Sequence, residues 1–267
     1  MLEPAPDLPE SESLRDQIVY EQPLNERMRA FLRLEFLFRQ ARHHLNGRTA
    51  YETRAALSSL IDVLAILNRG DARNEVLKEI ERHTSGLQRY ESQPGVDRTR
   101  LRSVLESLGR LRDGLNNAGK HFTQDLRDCE FLSAIRHRSA IPGGTCQFDL
   151  PDFNHWLSRP YKRRRADLDA WLASLEPLEA GVNELLWLTR EACPLRHEVA
   201  VDGMYQHNVE RNSSCQLLRI ALPAQSNLYP ETSASAHRFT IRFRTWRTVD
   251  TRPELVTQDV SFLLSCC

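Results

Sequence analysis

Apolar residues recur at helical spacing through the first two thirds of this chain and at a spacing of two in its last quarter. Leu24, Met28, Phe31 and Leu32 share one face, which predicts a helix from Asn25, a residue suited to an N-cap, to about Leu45. Asn46-Gly47 ends it in a turn, and Thr49-Ala50-Tyr51-Glu52 reads as the capping box of a second helix. That helix carries Leu57, Leu60, Ile61, Leu64 and Leu67, and Gly70 stands where a left-handed residue would close it. Asp71 caps a third helix bearing Val76, Leu77, Ile80 and Leu87, which stops at Pro94-Gly95. Asp97 caps a fourth, whose Leu101, Val104, Leu108, Leu111 and Leu115 alternate in steps of three and four. Such a seam suits a bundle helix or a short dimerising coil. A fifth helix is expected over 123–139.

Ile141-Pro142-Gly143-Gly144 interrupts the helical pattern, and Thr145-Cys146-Gln147-Phe148 reads as a strand. Short helices follow at about 151–158, 160–174 and 177–192, the last with Pro177 in its first turn. From Arg196 the period becomes two. Arg196 to Val201, Gln216 to Leu222, Ala236 to Arg247 and Leu255 to Ser265 are expected strands. The fold class is therefore α+β: an N-terminal multi-helix domain, then a C-terminal antiparallel β-sheet or small barrel-like domain. The expected limits are 18–195 for the helical domain and 196–267 for the β domain, with 141–150 adding a strand to the latter. Residues 1–17, rich in Pro, Glu, Ser and Asp, are read as a flexible acidic tail. Ile18-Val19-Tyr20-Glu21 is an apolar lead-in with strand character.

No long uncharged apolar run exists, and the first residues are acidic where a signal peptide would be basic. A cytosolic protein without membrane insertion is the expectation. In that compartment the Asn212-Ser213-Ser214 sequon is idle. The cysteines Cys129, Cys146, Cys193, Cys215, Cys266 and Cys267 show no C-x-x-C spacing, so buried thiols are expected rather than a metal or redox site. Net formal charge is zero, against a surface given over to nucleic acid. Among the basic residues only Lys78, Lys120 and Lys162 are lysine. Arginine grips carboxylates through a planar fork that lysine lacks. A codon preference across a genome suffices for the bulk count, however, so placement matters more than number.

The common catalytic motifs are missing: no G-x-S-x-G, Walker A, G-x-G-x-x-G or H-E-x-x-H occurs. Pro142-Gly143-Gly144 lacks the Lys-Ser/Thr that would follow a phosphate loop, and adjacent His43-His44 point to different sides of a helix. The chain is read as non-catalytic, with no cofactor and no metal. Tyr161-Lys162-Arg163-Arg164-Arg165 is the most basic run; it supplies an alternative reading, a nucleic-acid-binding module using Arg163–Arg165, beside the plain one of a solvated helix face. A sharper signal is His237 to Arg244. Alternation there sends Phe239, Ile241 and Phe243 to one face and Arg238, Thr240, Arg242 and Arg244 to the other. Flanking acids would make this row ordinary surface design; without them it is a docking strip for carboxylates. Arg29 and Arg33 form a second cationic spot, with Glu26 and Glu35 near enough to partner them.

Glu21-Gln22-Pro23-Leu24-Asn25-Glu26-Arg27-Met28-Arg29, running on through Phe31-Leu32-Arg33-Leu34-Glu35-Phe36-Leu37, resembles the opening signature of the ZapD family of cell-division proteins. The likeness continues in order through Asn68-Arg69-Gly70-Asp71-Ala72-Arg73, Pro94-Gly95-Val96-Asp97, and Ser139 to Pro151. It then takes in Gly203-Met204-Tyr205-Gln206, Gln225 to Pro230, Arg238 to Phe243 and the closing Cys266-Cys267. It spans about residue 18 to the end. The resemblance implies a cytoplasmic homodimer at the mid-cell division ring that binds the acidic C-terminal tail of FtsZ and cross-links FtsZ filaments. Carried over by position, its basic surface consists of Arg29, Arg33, Arg69, Arg73, Arg136, Arg138, Arg238 and Arg242. Residues 1–17 have no counterpart in this likeness, and an acidic tail there would compete with an acidic ligand. Cys129-Glu130 stand where a further basic residue is expected, and His155 is displaced by one place.

Overall fold

A computed structural model describes residues 16–119, 122–208, 215–235 and 238–267. The chain divides into two compact units, Ala30–Trp187, and Met1–Arg29 with Leu188–Cys267. Both divisions fall inside helices.

The helical unit follows the hydrophobic spacing, with capping side chains fixing the starts of its first four helices. Helix α1 (Glu26–His44) begins where Asn25 Oδ1 accepts the Met28 N–H at 2.8 Å. Helix α2 (Ala50–Arg69) opens on a complete capping box between Thr49 and Glu52. The Thr49 N–H, helped by its hydroxyl, holds the Glu52 carboxyl below the usual carboxylate range. Gly70 is extended (φ −159°) instead of left-handed. The reason is a different cap: the Arg127 guanidinium donates to the Leu67 carbonyl at 3.1 Å, taking up one of the helix's last free acceptors. Asp71 then starts α3 (Ala72–Gln88), which ends short of Pro94-Gly95, and Asp97 accepts from Thr99 and Arg100 to start α4 (Arg98–Ala118). Leu101, Leu108 and Leu115 of α4 are buried one heptad apart, as an ordinary bundle seam.

The single helix expected over 123–139 is two, α5 (Gln124–Asp128) and α6 (Glu130–Ser139), broken at Cys129 where ψ is 107°. Residues 141–150 form successive turns and no strand. The Arg54 guanidinium holds this loop through the Thr145 carbonyl at 3.1 Å, and Arg138 lies 3.6 Å from Asp149. With its carbonyl engaged by a side chain and Gly143 at φ 72°, the segment has no ladder to join. Helices α7 (Pro151–Ser158), α8 (Tyr161–Ala173) and α9 (Glu176–Glu191) complete the run. An aromatic cluster of Phe131, Phe153, Trp156 and Trp171, with ring centroids 5.5 to 6.1 Å apart, anchors α6, α7 and α8. The Trp156 indole N–H finds Asp167 at 2.8 Å, so the ring is buried with its polar edge satisfied.

The sheet unit contains more strands than the period-two signal marks. Strand β1 (Gln17–Pro23) pairs antiparallel with β4 (Leu217–Pro223), so the apolar lead-in is a sheet edge and lies with the β unit, outside the helical one. Of the expected tail at 1–17, Asp16 and Gln17 fall in this region; residues 1–15 lie outside the described residues, as does the 212–214 sequon. The first sheet has the order β1-β4-β8-β2, with β2 at Arg196–Ala200 and β8 at Val260–Cys266. The second runs β3 (Met204–Asn208), β6 (Arg238–Thr245), β5 (Leu228–Ala234), with β7 (Glu254–Leu255) also on β6. Strands β3 and β5 are additional to those expected. Strand β3 is mostly exposed, neither strand buries a side chain fully or shows apolar alternation, and β5 contains Pro230, a residue an edge strand tolerates because its outer side needs no donor. The core between the sheets holds Leu218, Ile220, Leu222, Phe239, Ile241, Phe243, Val260, Phe262 and Leu264.

Cysteine usage departs from the expectation at one pair: Cys215 and Cys266 are disulfide-bonded, tying the start of β4 to the end of β8. Cys129, Cys146, Cys193 and Cys267 are free, and burial pushes the Cys267 thiol up.

Glycines in the helical unit provide a test of packing. A Cβ on Gly181 of α9 would meet Val76 Cγ1 at 2.8 Å, whereas one on Gly109 of α4 would meet nothing within 4 Å. Gly181→Val is expected to lower stability by about 1–3 kcal/mol through overpacking. Gly109→Ala is expected to raise it by about 0.5–1 kcal/mol through helix propensity. Urea midpoints of the two variants check the opposite signs.

Candidate binding site

In the sheet unit the sequence pattern of β6 becomes a built surface. Phe239, Ile241 and Phe243 are buried between the sheets, each contributing about 1.5–3 kcal/mol of burial. The opposite side chains point outward, with differences the pattern does not show. Thr240 is buried, beside Gln206 and Ser233 in register. Arg244 is half-buried: its Nε donates to Glu231 Oε2 at 2.8 Å, and its Nη1 reaches the Pro253 carbonyl. Of the two alternatives for the row, an acid does flank it, Glu231, and it is drawn off by one arginine. Arg242 stands directly opposite Glu231 in register yet makes no ion pair with a described residue. Arg238, opposite Asn208, makes none either among the described residues. Two exposed guanidiniums four residues apart remain, about 13 Å along a rigid strand.

On α1 the Arg29 guanidinium lies 3.2 Å from Glu26. Glu35 takes Arg39 at 3.3 Å, leaving Arg33 exposed and without an ion pair among the described residues. The remaining carried-over residues belong to the helical unit. Arg69 is exposed and Arg73 half-buried, and both line one polar cavity of about 360 Å³. Arg73 is already engaged: its Nε donates to the Leu115 carbonyl at 2.9 Å, closing the end of α4, and its terminal nitrogens reach Asn74 and Asn116. Arg127 lines the same cavity. Sequence reasoning missed it, since it follows Asp125 and precedes Asp128 in a stretch that reads as neutral; only the fold brings it to Arg69 and Arg73. Arg136 is half-buried and borders a shallow recess with Arg127, and Arg138 is paired to Asp149. Arg69 and Arg73 thus share a cavity in the helical unit, Arg238 and Arg242 share a strand in the sheet unit, and Arg29 and Arg33 share a helix.

The basic run at 161–165 serves the fold. Arg164 is buried, donating to the Thr53 hydroxyl at 2.8 Å and to the carbonyl oxygens of Arg48 and Thr49. Arg165 donates to the Leu45 carbonyl at 2.6 Å and to Asp169 at 2.7 Å, and the Tyr161 hydroxyl reaches the same carbonyl. The Arg165 and Tyr161 donors sit at the negative end of α1, where cations are favoured, while Arg164 fastens the turn that leads into α2. Only Lys162 and Arg163 of the run are exposed.

A model of the ZapD family of cell division proteins matches residues 32–242. The chain is also 38% identical to the cell division protein ZapD of Methylococcus capsulatus over 254 residues, covering 95% of this chain and 99% of that protein. The chain belongs to the ZapD family. ZapD proteins of Cronobacter sakazakii and Yersinia pseudotuberculosis are 36% and 35% identical, again over 95% of this chain and 99 to 100% of theirs. The match includes the strand arginines Arg238 and Arg242 and the cavity residues Arg69, Arg73 and Arg127 within its limits. No helix is long and apolar enough to cross a membrane, and no group of three His, Cys, Asp or Glu is placed to hold a metal ion, both among the described residues.

Arg164→Ala is expected to cost about 2–3 kcal/mol, because it leaves buried acceptors unpaired. Replacing the exposed Lys162 or Arg163 is expected to stay within about 0.5 kcal/mol. Thermal unfolding of the three variants separates these outcomes.

Proposed function

We propose that the protein is a non-catalytic division factor that binds the acidic C-terminal tail of FtsZ and cross-links FtsZ filaments at the cytoplasmic mid-cell ring. The observation that carries this reading is the pair Arg238 and Arg242: exposed, without ion-pair partners among the described residues, and held at fixed spacing by a buried strand face. Guanidiniums so placed offer forked donors to carboxylates at little ordering cost. Membership of a cell-division family supports the partner's identity. Arg29, Arg33, Arg69, Arg73, Arg136 and Arg138 extend the proposed basic surface, and Arg127 joins it through the cavity it shares with Arg69 and Arg73. Arg33 and Arg69 are the more available of these, Arg73 and Arg138 the more committed to the fold.

Cross-linking needs two sites on one particle. A homodimer supplies them, and bivalency raises the avidity of individually weak contacts by factors of about 10²–10⁴ when both sites engage. The competing reading as a nucleic-acid module loses its motivation, since Arg164 and Arg165 are occupied by main-chain carbonyls.

Co-sedimentation with polymerised FtsZ tests the proposal. Arg238→Glu with Arg242→Glu is expected to reduce the bound fraction at least about tenfold with an unchanged circular dichroism spectrum, because attractive charge-assisted pairs become repulsive ones. Undiminished pelleting removes these residues from the interface. In the unmodified protein, raising ionic strength from about 0.05 to 0.3 M is expected to weaken binding steadily, as exposed charge pairs are screened.

A further inference from the structure

Residues 1–16 carry Glu3, Asp7, Glu10, Glu12 and Asp16 against Arg15 alone. The chain leaves the sheet unit at a defined place. Gln17 pairs with Pro223 at the end of β4, and the Asp16 carbonyl accepts the Ala224 N–H at 2.7 Å. The acidic stretch therefore departs from the β4–β5 turn, where β5 begins at Leu228. Strand β5 leads straight to the two arginines: Glu231, three residues along it, is opposite Arg242, and Ala234 is opposite Phe239, next to Arg238. At about 3.3 Å per residue, Arg242 lies about 10 Å from the start of β5, and Arg238 about 13 Å beyond that. The 15 residues before Asp16 span up to about 50 Å when extended, which exceeds the distance required.

We propose that the acidic segment preceding β1 docks on Arg238 and Arg242 of its own chain, and that an acidic partner binds this strip by displacing it. The proposal rests on the partner reading above for its consequence, but the docking itself depends only on charge and tether. Glu231 is drawn off by Arg244, so the strip lacks an internal acid among the described residues, and the segment before Asp16 supplies four carboxylates within reach, Glu3, Asp7, Glu10 and Glu12. Exposed ion pairs are individually weak, so the contact is a reversible shield and not a lock. Tethering offsets this weakness: a short link holds the carboxylates at an effective concentration on the order of millimolar. A partner present at micromolar concentration then meets a competitor about a thousand times more concentrated. With a millimolar intrinsic affinity for the segment, apparent partner affinity falls by about 2- to 10-fold.

The test uses the full chain and a full chain with Glu3→Gln, Asp7→Asn, Glu10→Gln and Glu12→Gln, each titrated against a fluorescein-labelled peptide of residues 1–16 by anisotropy. The peptide is expected to bind the neutralised chain about 2- to 10-fold more tightly than the unmodified chain. Adding Arg238→Glu and Arg242→Glu to the neutralised chain is expected to abolish that binding. Equal affinity for the two chains overturns the proposal, as does peptide binding that survives the charge reversal. Pelleting with FtsZ polymer on the same proteins distinguishes the two readings. If neutralisation raises the pelleted fraction at limiting protein, both stand. If FtsZ pellets neither chain while the peptide behaves as expected, docking stands and the partner is wrong. If FtsZ pellets both equally, displacement is refuted while the partner reading survives.

Discussion

Everything proposed for the sheet unit depends on one constraint, the burial of every second side chain of β6. Phe239, Ile241 and Phe243 are fixed between two sheets, and β3 and β5 flank the strand in a register that allows no slip without moving these rings to solvent. The positions of Arg238 and Arg242 follow from that burial. A guanidinium on a loop would lose rotamer and backbone freedom on gripping a carboxylate; here the backbone part has already been lost in folding. The same apolar core that stabilises the unit thus prepares its surface.

In the helical unit the corresponding constraint is main-chain carbonyl satisfaction. Helices α1, α2 and α4 each end on carbonyls that their own turns leave open, and arginine side chains from other helices supply donors at Leu45, Leu67 and Leu115. This divides the arginines into two populations. Arg73, Arg127, Arg164 and Arg165 donate to main-chain carbonyls at helix ends or turns, Arg127 from an exposed position, whereas Arg33, Arg69, Arg238 and Arg242 face solvent without such a bond among the described residues.

Much of this was legible in the sequence, and the rest was hidden for identifiable reasons. Caps at Asn25, Thr49, Asp71 and Asp97 are local chemistry, so they were readable, as was the alternation of β6. Strands β3 and β5 were not, because an edge strand that buries no side chain fully has no apolar face to impose a period. The turn-forming segment 141–150 looked like a strand since Thr145-Cys146-Gln147-Phe148 has suitable residues; its conformation is set by Arg54, about ninety positions away. The Cys215–Cys266 bond was equally invisible, joining residues 51 apart through strand pairing. For the strand row, sequence marked the outward arginines Arg238, Arg242 and Arg244 but not which acid would serve which cation. Glu231 choosing Arg244 over its direct neighbour Arg242 is a diagonal geometry that only the twisted sheet decides.

The helix-closing arginines carry one more consequence. Guanidinium stays protonated far above any cellular pH, and its donors to half-buried carbonyls are shielded from mobile ions. Carbonyl acceptors carry no net charge to be screened, so electrolyte that strips ligands from the exposed arginines leaves the interior clasps in place. Rising salt would then weaken whatever the exposed arginines hold without loosening the fold, and the folded particle would be ready to rebind as soon as the ions dilute.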